Sequence, residues 1–343
     1  MSPYRHALVV GKFAPLHIGH QQLLDHAHAL ADEVTVIVWS NPDFDAMTNE
    51  VRADWVSSLY PKACVLVGHD GPPNDAPDDT QRSYTAALLA RHGRTPDVVA
   101  TRESYGPGLA AHLGISHVWA GPPRAADEPS GTRLRADVHA HRHLLHPRVY
   151  EHFVERVVLM GAESTGKSTL AARLAKDFAT EHVLEYGREH YAARGGHLDL
   201  EDYVTIARVH REREDEAVCR ANQYLFIDTN AVTTMFFSHY YNRDSLPELR
   251  QLADECASRY RHVIVCDDDI PFEQDGWRDN VVWRARMQGM VLHDLATRRI
   301  PFHVVSGSLD ERVAQVRSIL GGQAVGSPRQ VDSLGPRPTE VPR

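Results

Sequence analysis

The stretch Gly161-Ala162-Glu163-Ser164-Thr165-Gly166-Lys167-Ser168 most narrows what this chain can fold into. It spells G-x-x-x-x-G-K-S, a phosphate-binding loop that works only where a buried strand delivers it and a helix receives it. Both neighbours are present: Val154 to Met160 is an apolar, β-branched run, and Thr169 to Phe178 has helical spacing. In that setting the glycines let the backbone wrap a phosphate, Lys167 reaches the β- and γ-groups, and the Ser168 hydroxyl can ligate Mg²⁺. Gly161, Glu163, Ser164, Thr165, Gly166 and Thr169 complete the cradle at the positive end of the helix dipole. Further on, Tyr224 to Thr229 reads as a buried strand carrying Asp228 at its end. That carboxylate can hold Mg²⁺ or its water, or take an acceptor's proton; the sequence leaves the two roles open.

The same strand–turn–helix order opens the chain. Ala7 to Val10 is a strand, Gln21 to Ala31 a helix, and between them runs Gly11-Lys12-Phe13-Ala14-Pro15-Leu16-His17-Ile18-Gly19-His20. His17 and His20 lie one helical turn apart and face the same side. Two imidazoles beside a phosphate site can bond a polyphosphate and stabilise the charge that grows during transfer, with Gly11, Lys12 and Phe13 lining the turn. This stretch resembles the H-x-G-H signature of the nucleotidyltransferase superfamily, in the longer form G-x-F-x-P-x-H-x-G-H. Downstream, Ser130-Gly131-Thr132-Arg133-Leu134-Arg135 resembles the S-x-T-x-x-R motif that closes such sites. Ser130 and Thr132 can cap a helix, and Arg135, one turn in, can reach the same anion with a forked donor set.

Apolar runs recur at Val34–Trp39, Cys64–Val67, Asp97–Ala100, His182–Leu184, His262–Cys266 and Phe302–Val305, interleaved with helical patterns. Strands alternating with helices predict an α/β fold with parallel sheets flanked by helices. We expect an N-terminal Rossmann-like nucleotidyltransferase domain over residues 1–150 and a C-terminal P-loop kinase domain over 151–320. Residues 321–343 are rich in Pro, Gly and Ser and read as a disordered tail.

Composition removes several alternatives. At 343 residues and a net charge of −9, the chain has room for two domains and no basic footprint for nucleic acid. No apolar run has the length of a membrane span, and the N-terminus lacks a secretory core. Cys64, Cys219, Cys256 and Cys266 are scattered, which argues against zinc or disulfides and points to a reducing cytoplasm. Of the 22 histidines, His139, His141, His143 and His146 are the densest group outside the first motif. His139 and His143 could share a helix face, but no carboxylate or Cys partner sits at metal-ligand spacing, so a solvated helix is the better reading.

Acceptor-side candidates are less definite. Trp55, Tyr84 and Tyr105 suit either the wall of a pocket that stacks a flat ring or the core. Glu185-Tyr186-Gly187-Arg188-Glu189 sets carboxylates, an aromatic and an arginine at a strand end opposite the phosphate loop, which suits a ribose-bearing acceptor. Trp277, Arg278, Arg284 and Arg286 read as a lid whose arginines close over transferring phosphate.

An H-x-G-H nucleotidyltransferase placed ahead of a P-loop kinase resembles the bifunctional NadR proteins. The Gly11–His20 motif, Ser130-Gly131-Thr132 with Arg135, the phosphate loop, Glu185–Glu189 and Phe226-Ile227-Asp228-Thr229 carry the resemblance, which covers roughly residues 5 to 320. It implies that the second half phosphorylates nicotinamide riboside with ATP, giving nicotinamide mononucleotide (NMN). The first half would then join NMN to the AMP part of ATP, giving NAD⁺ and diphosphate. By position, His17, His20 and Arg135 would bind ATP phosphates, with His20 beside the α-phosphate. The Thr101–Gly106 loop departs from the family's serine-rich form at Arg102. Some members begin with a helix-turn-helix; here the first strand begins by about residue 6, so an enzyme rather than a DNA-binding repressor is expected. The other readings are a fusion acting on another vitamin-derived acceptor, or a nucleotide sensor linked to a riboside transporter. The sequence is silent on whether the chain forms a homo-oligomer.

Overall fold

Strands buried on both faces are continuous apolar runs rather than alternating ones, and most of the ten strands among the described residues are of this kind; the ladders between them are all parallel. A computed structural model describes residues 2–122, 130–271 and 281–322. The expected tail from residue 323 onward, with Trp277 and Arg278, lies outside these residues. The chain divides into two compact units between Phe153 and Val154.

The first unit contains β1 (Tyr4–Gly11), α1 (Ile18–Leu30), β2 (Ala31–Val38), α2 (Asn49–Leu59), β3 (Cys64–Val67) and α3 (Asp78–Arg91). It continues through β4 (Val98–Thr101), α4 (Gly106–Leu113), β5 (Ser116–Trp119), α5 (Gly131–Ala136) and the single turn α6 (Pro147–Tyr150). Its sheet has the order β3-β2-β1-β4-β5, with Val9 opposite Val36 and Leu8 opposite Val99. Leu8, Ile37, Leu66, Leu88, Leu89, Val99 and Leu109 form the core between this sheet and its helices. Burying a leucine such as Leu88 contributes about 1.5–3 kcal/mol.

The second unit contains β6 (Glu155–Met160), α7 (Lys167–Asp177), β7 (His182–Val183), α8 (Gly187–Ala193), α9 (Leu200–Val218) and β8 (Tyr224–Asp228). After these come α10 (Ala231–Asn242), α11 (Pro247–Arg259), β9 (His262–Cys266), α12 (Val281–Thr297), β10 (His303–Val305) and α13 (Leu309–Leu320). Here the order is β10-β9-β6-β8-β7. Leu170, Ala171, Leu174 and Ala175, spaced to share one face of α7, pack on Val157, Leu159 and Phe226.

In both sheets the first strand is the central one, with neighbours that arrive later from opposite sides. Each motif turn therefore leaves its sheet where the strand order reverses, the place where open α/β sheets bind ligands. Two local differences from expectation have physical reasons. Helix α7 begins two residues early, at Lys167, because Gly166 takes the N-cap in a left-handed conformation (φ +79°). The His139–His146 stretch is not an α-helix: it holds a turn, a short 3₁₀ segment, Arg142–Leu144, and a bridge from Leu145 to His17, and the His139 Nδ1 bonds the Tyr150 hydroxyl at 2.8 Å. The strand-end segment Glu185–Glu189 runs directly into a helix, which Gly187 begins. No group of three or more His, Cys, Asp or Glu side chains among the described residues is arranged to hold a metal, and no described helix is long and apolar enough to cross a membrane.

Candidate active sites

Helix α1 starts at a histidine. His17 is the N-cap residue, and its Nδ1 accepts from the Gly19 N–H at 3.1 Å; the His20 Nδ1 faces the His17 N–H at 3.4 Å in return. Backbone donors thus occupy the Nδ1 side of both rings, so in the neutral tautomer each Nε2 carries the proton and donates. Their centroids are 3.9 Å apart, and Phe13 meets His20 edge-on at 5.0 Å. Two N–H donors side by side at a helix N-terminus make a site for an anion.

Ser130 caps α5, accepting from the Arg133 N–H at 3.1 Å. Thr132 is not a cap; its hydroxyl accepts from Arg135 Nη2 at 3.0 Å. Arg135 Nη1 donates to the Ala14 carbonyl at 2.5 Å, which ties the second motif to the first. Gly131 permits this approach, because a Cβ there would stand 2.7 Å from the Ala14 oxygen. Burial lowers the pKa of Lys12, Arg135 lowers it further, and Glu103 opposes the shift.

Gly11, Lys12, Phe13, His17, His20, Ser130, Thr132 and Arg135 all line one cavity of about 620 Å³, in the size range of small-molecule sites. Trp39, Phe44, Arg102, Glu103 and Tyr105 line it too. Of the three aromatic candidates only Tyr105 does so, its hydroxyl donating to the Val10 carbonyl at 2.6 Å. Trp55 belongs to the core instead, 3% exposed against His152 and Phe153. Tyr84 is held outside the lining by Asp70, 2.9 Å from its hydroxyl, and stands edge-on to Trp39. Arg102, where the loop departs from the family pattern, donates to the Pro122 carbonyl at 3.3 Å.

Two residues here had no signal in the sequence. Arg52 is wholly buried, and its guanidinium donates to the carbonyls of Met47 (3.0 Å), Lys12 (2.6 Å) and Trp39 (2.9 Å) and to the Asn49 side chain. It thereby fastens the segment after β2 to the phosphate turn. Phe44, in that segment, has the guanidinium of Arg135 at 4.7 Å and that of Arg52 at 5.3 Å from its ring centre, within cation–π range.

In the second unit the loop wraps itself. Gly161 sits at φ +131°, where a Cβ would lie 2.7 Å from the Cys266 carbonyl. The Thr165 hydroxyl and Lys167 Nζ both donate to the Ala162 carbonyl, at 2.8 and 2.7 Å. Ser168 Oγ donates to Asp228 Oδ2, whereas Oδ1 of that buried carboxylate has no partner, and neither has the buried Ser164 Oγ. Glu185 shares this neighbourhood. Burial pushes its carboxyl above the usual range and Asp228 pushes it further, against the pull of Lys167 and Arg188, with Glu163 adding repulsion.

The rest of the acceptor segment is divided. Tyr186 carries the Arg213 guanidinium 4.4 Å from its ring centre, and Glu189 is paired to the same arginine at 2.8 and 3.1 Å. Arg188 is exposed. Of the lid arginines, Arg284 is buried and donates to the Ile270 carbonyl at 2.8 Å, and Arg286 is exposed. Sequence reading missed Gln288 and Arg312. Gln288 accepts from the Ala162 N–H (2.9 Å) and donates to the Cys266 carbonyl (3.0 Å). Arg312, 2% exposed, donates to the Thr165 carbonyl (2.6 Å), the Gly307 carbonyl (2.9 Å) and the Asp267 carbonyl (3.1 Å), and pairs with Asp269. Both come from elements far along the chain, so no local pattern announces them.

Two parallel-sheet units, each with a phosphate-binding turn at its strand-order reversal, define a nucleotide-binding protein with a P-loop kinase-like second unit. Residues 156–312 match the family model described as an AAA domain. The trifunctional NAD biosynthesis/regulator protein NadR of Escherichia coli (strain K12) is 31% identical over 92% of this chain and 83% of its own length. Its counterpart from Salmonella typhimurium (strain LT2) gives the same figures. The chain belongs to the NadR family. A crystal structure of NadR protein in complex with NR has the same fold, with a TM-score of 0.69 at 21% identity over 96% of this chain and 99% of that one. One of NadR protein with NAD and AMP-PNP gives 0.66 at 22% identity, with the same coverage.

Proposed function

We propose that the chain makes NAD⁺ in two ATP-dependent steps, phosphorylating nicotinamide riboside in the second unit and adenylylating the resulting NMN in the first. The observation that carries this reading is that each unit brings the side chains of its phosphate motif together at one turn, in a family whose named members are NAD biosynthesis proteins.

In the first unit, a phosphate oxygen of NMN bonds the α-phosphorus of ATP as diphosphate leaves. His17, His20 and Arg135 then donate to the charge that grows on the transferred and leaving oxygens, and Lys12 adds a cation beside them. Little covalent chemistry falls to the protein; positioning and charge neutralisation supply the rate. In the second unit, the riboside 5′-hydroxyl oxygen bonds the γ-phosphorus, the bond to the bridging oxygen breaks, ADP departs, and the hydroxyl proton passes to a carboxylate of the site or to water. Lys167 and the loop N–H groups hold the phosphates, and Glu185 and Tyr186 face the ribose-bearing acceptor. The Ser168 hydroxyl and the unpartnered Asp228 oxygen fit Mg²⁺, a hard cation that takes one or two carboxylates and otherwise phosphate and water. When bound, Mg²⁺ neutralises β- and γ-phosphate charge.

The test is a pair of product assays with Mg·ATP, one on nicotinamide riboside and one on NMN. ADP plus NMN from the first and NAD⁺ plus diphosphate from the second are expected. Failure of both substrates would discard the reading.

A further inference from the structure

Four buried polar atoms without a hydrogen-bond partner cluster around the end of β8: Asp228 Oδ1, Thr229 Oγ1, Thr233 Oγ1 and His210 Nδ1. Buried polar groups are nearly always satisfied, so such a cluster asks for a physical reason. His210, on α9, is 4% exposed. Its Nε2 lies 3.3 Å from the Thr229 carbonyl and 3.7 Å from Glu214 Oε1. A carbonyl only accepts, so Nε2 carries the proton and Nδ1 of the neutral ring is bare. Burial is the main influence driving the ring to that neutral form, against the pull of Glu214, the Thr229 carbonyl and Asp228. Glu214 is itself 1% exposed and fixed at both oxygens, accepting from Arg259 Nε at 2.8 Å and from the Tyr260 hydroxyl at 2.9 Å. The ring is thus backed by α9 and the end of α11.

The carbonyl that His210 holds belongs to a strained residue. Thr229 has φ +67°, a left-handed conformation that β-branched side chains rarely adopt. On its other side its N–H donates to the Leu159 carbonyl at 3.0 Å. Thr229 directly follows Asp228, so whatever maintains the conformation of Thr229 also sets the aim of the carboxylate.

We propose that His210 is a positioning residue for Asp228, holding the Thr229 carbonyl so that the strand-end carboxylate stands opposite Ser168. The inference rests on the phosphoryl-transfer reading of the second unit. Its test compares H210L, which removes the donor, with H210Q, whose amide N–H can replace Nε2. In steady-state assays of the full chain with Mg·ATP and nicotinamide riboside, H210L is expected to lose kcat by about 10-fold or more, the range for residues that orient a metal-site ligand. KM for ATP and the conversion of NMN to NAD⁺ stay near parental values, and H210Q recovers most of the kcat. An H210L with parental kcat overturns the inference. Equal losses in both variants with a lowered melting temperature overturn it too, since they mark a merely structural residue. A parent that makes no NMN would sink the kinase reading instead. The inference is then judged by Mn²⁺ binding in the presence of ATP, followed by electron paramagnetic resonance in the parent, D228N, H210L and H210Q. Weakening in D228N and H210L with recovery in H210Q supports it, and parental affinity in H210L overturns it.

Discussion

The two phosphate turns solve one problem with different materials. In the first unit the donors are side chains: two histidine rings on a helix start and a guanidinium from a second motif, facing a cavity already shaped between them. In the second the cradle is backbone, and its side-chain donors are engaged within the unit. Lys167 donates to its own loop and Ser168 to Asp228, so a nucleotide exchanges these bonds for its own. A side-chain site spreads its contribution over several residues, whereas a backbone site concentrates charge in one lysine. The two turns therefore differ in their sensitivity to single substitutions.

That contrast can be broken, and the largest effects come first. Lys167→Ala is expected to cost about 10³-fold in riboside phosphorylation, and His20→Ala about 10²-fold in NAD⁺ formation, because His17 and Arg135 remain. Each leaves the other reaction within about twofold, measured as ADP and diphosphate release. A cross-effect, or a His20 loss as deep as that of Lys167, would erase the distinction between the two turns.

Gly131→Ala sharpens it, since the added Cβ would push on the Ala14 carbonyl and Arg135, the contact that joins the side-chain motifs. A destabilisation of about 1–3 kcal/mol is expected, with NAD⁺ formation impaired and phosphorylation spared.

The smallest effect concerns Glu185. A carboxyl whose pKa rises on folding contributes stability at low pH that is lost as pH climbs through the raised value. Glu185→Gln is therefore expected to raise the melting temperature by a few degrees, about 1 kcal/mol, at neutral pH. That gain should vanish once pH falls below the ordinary carboxylate range. A gain independent of pH would mean that the cost of charging the buried carboxyl is not the cause.

Both motif turns were legible in the sequence because each is a single uninterrupted stretch whose flanking strand and helix are equally local. The parallel α/β fold was legible for the same reason. β5 was not: Ser-His-Val-Trp, with two of its four residues polar, has no apolar run to detect. Nor were Arg52, Phe44, Gln288 and Arg312, whose roles depend on carbonyls and rings that only folding brings near. Trp55 and Tyr84 show the converse. Aromatic character alone does not separate a pocket wall from a core, and the decision fell to His152, Phe153 and Asp70, far from each in sequence.

The Arg312 bond to the Thr165 carbonyl spans nearly the whole second unit. On a ribosome the two units would then mature on different schedules. The first site is complete once Arg135 and the residues that pack behind it have emerged. The phosphate loop, though translated as a continuous octapeptide, must wait for α13, among the last described residues, before its anchoring guanidinium arrives. During synthesis, competence to bind phosphate is thus expected to appear in the first unit while the second is still an unanchored loop on a growing chain.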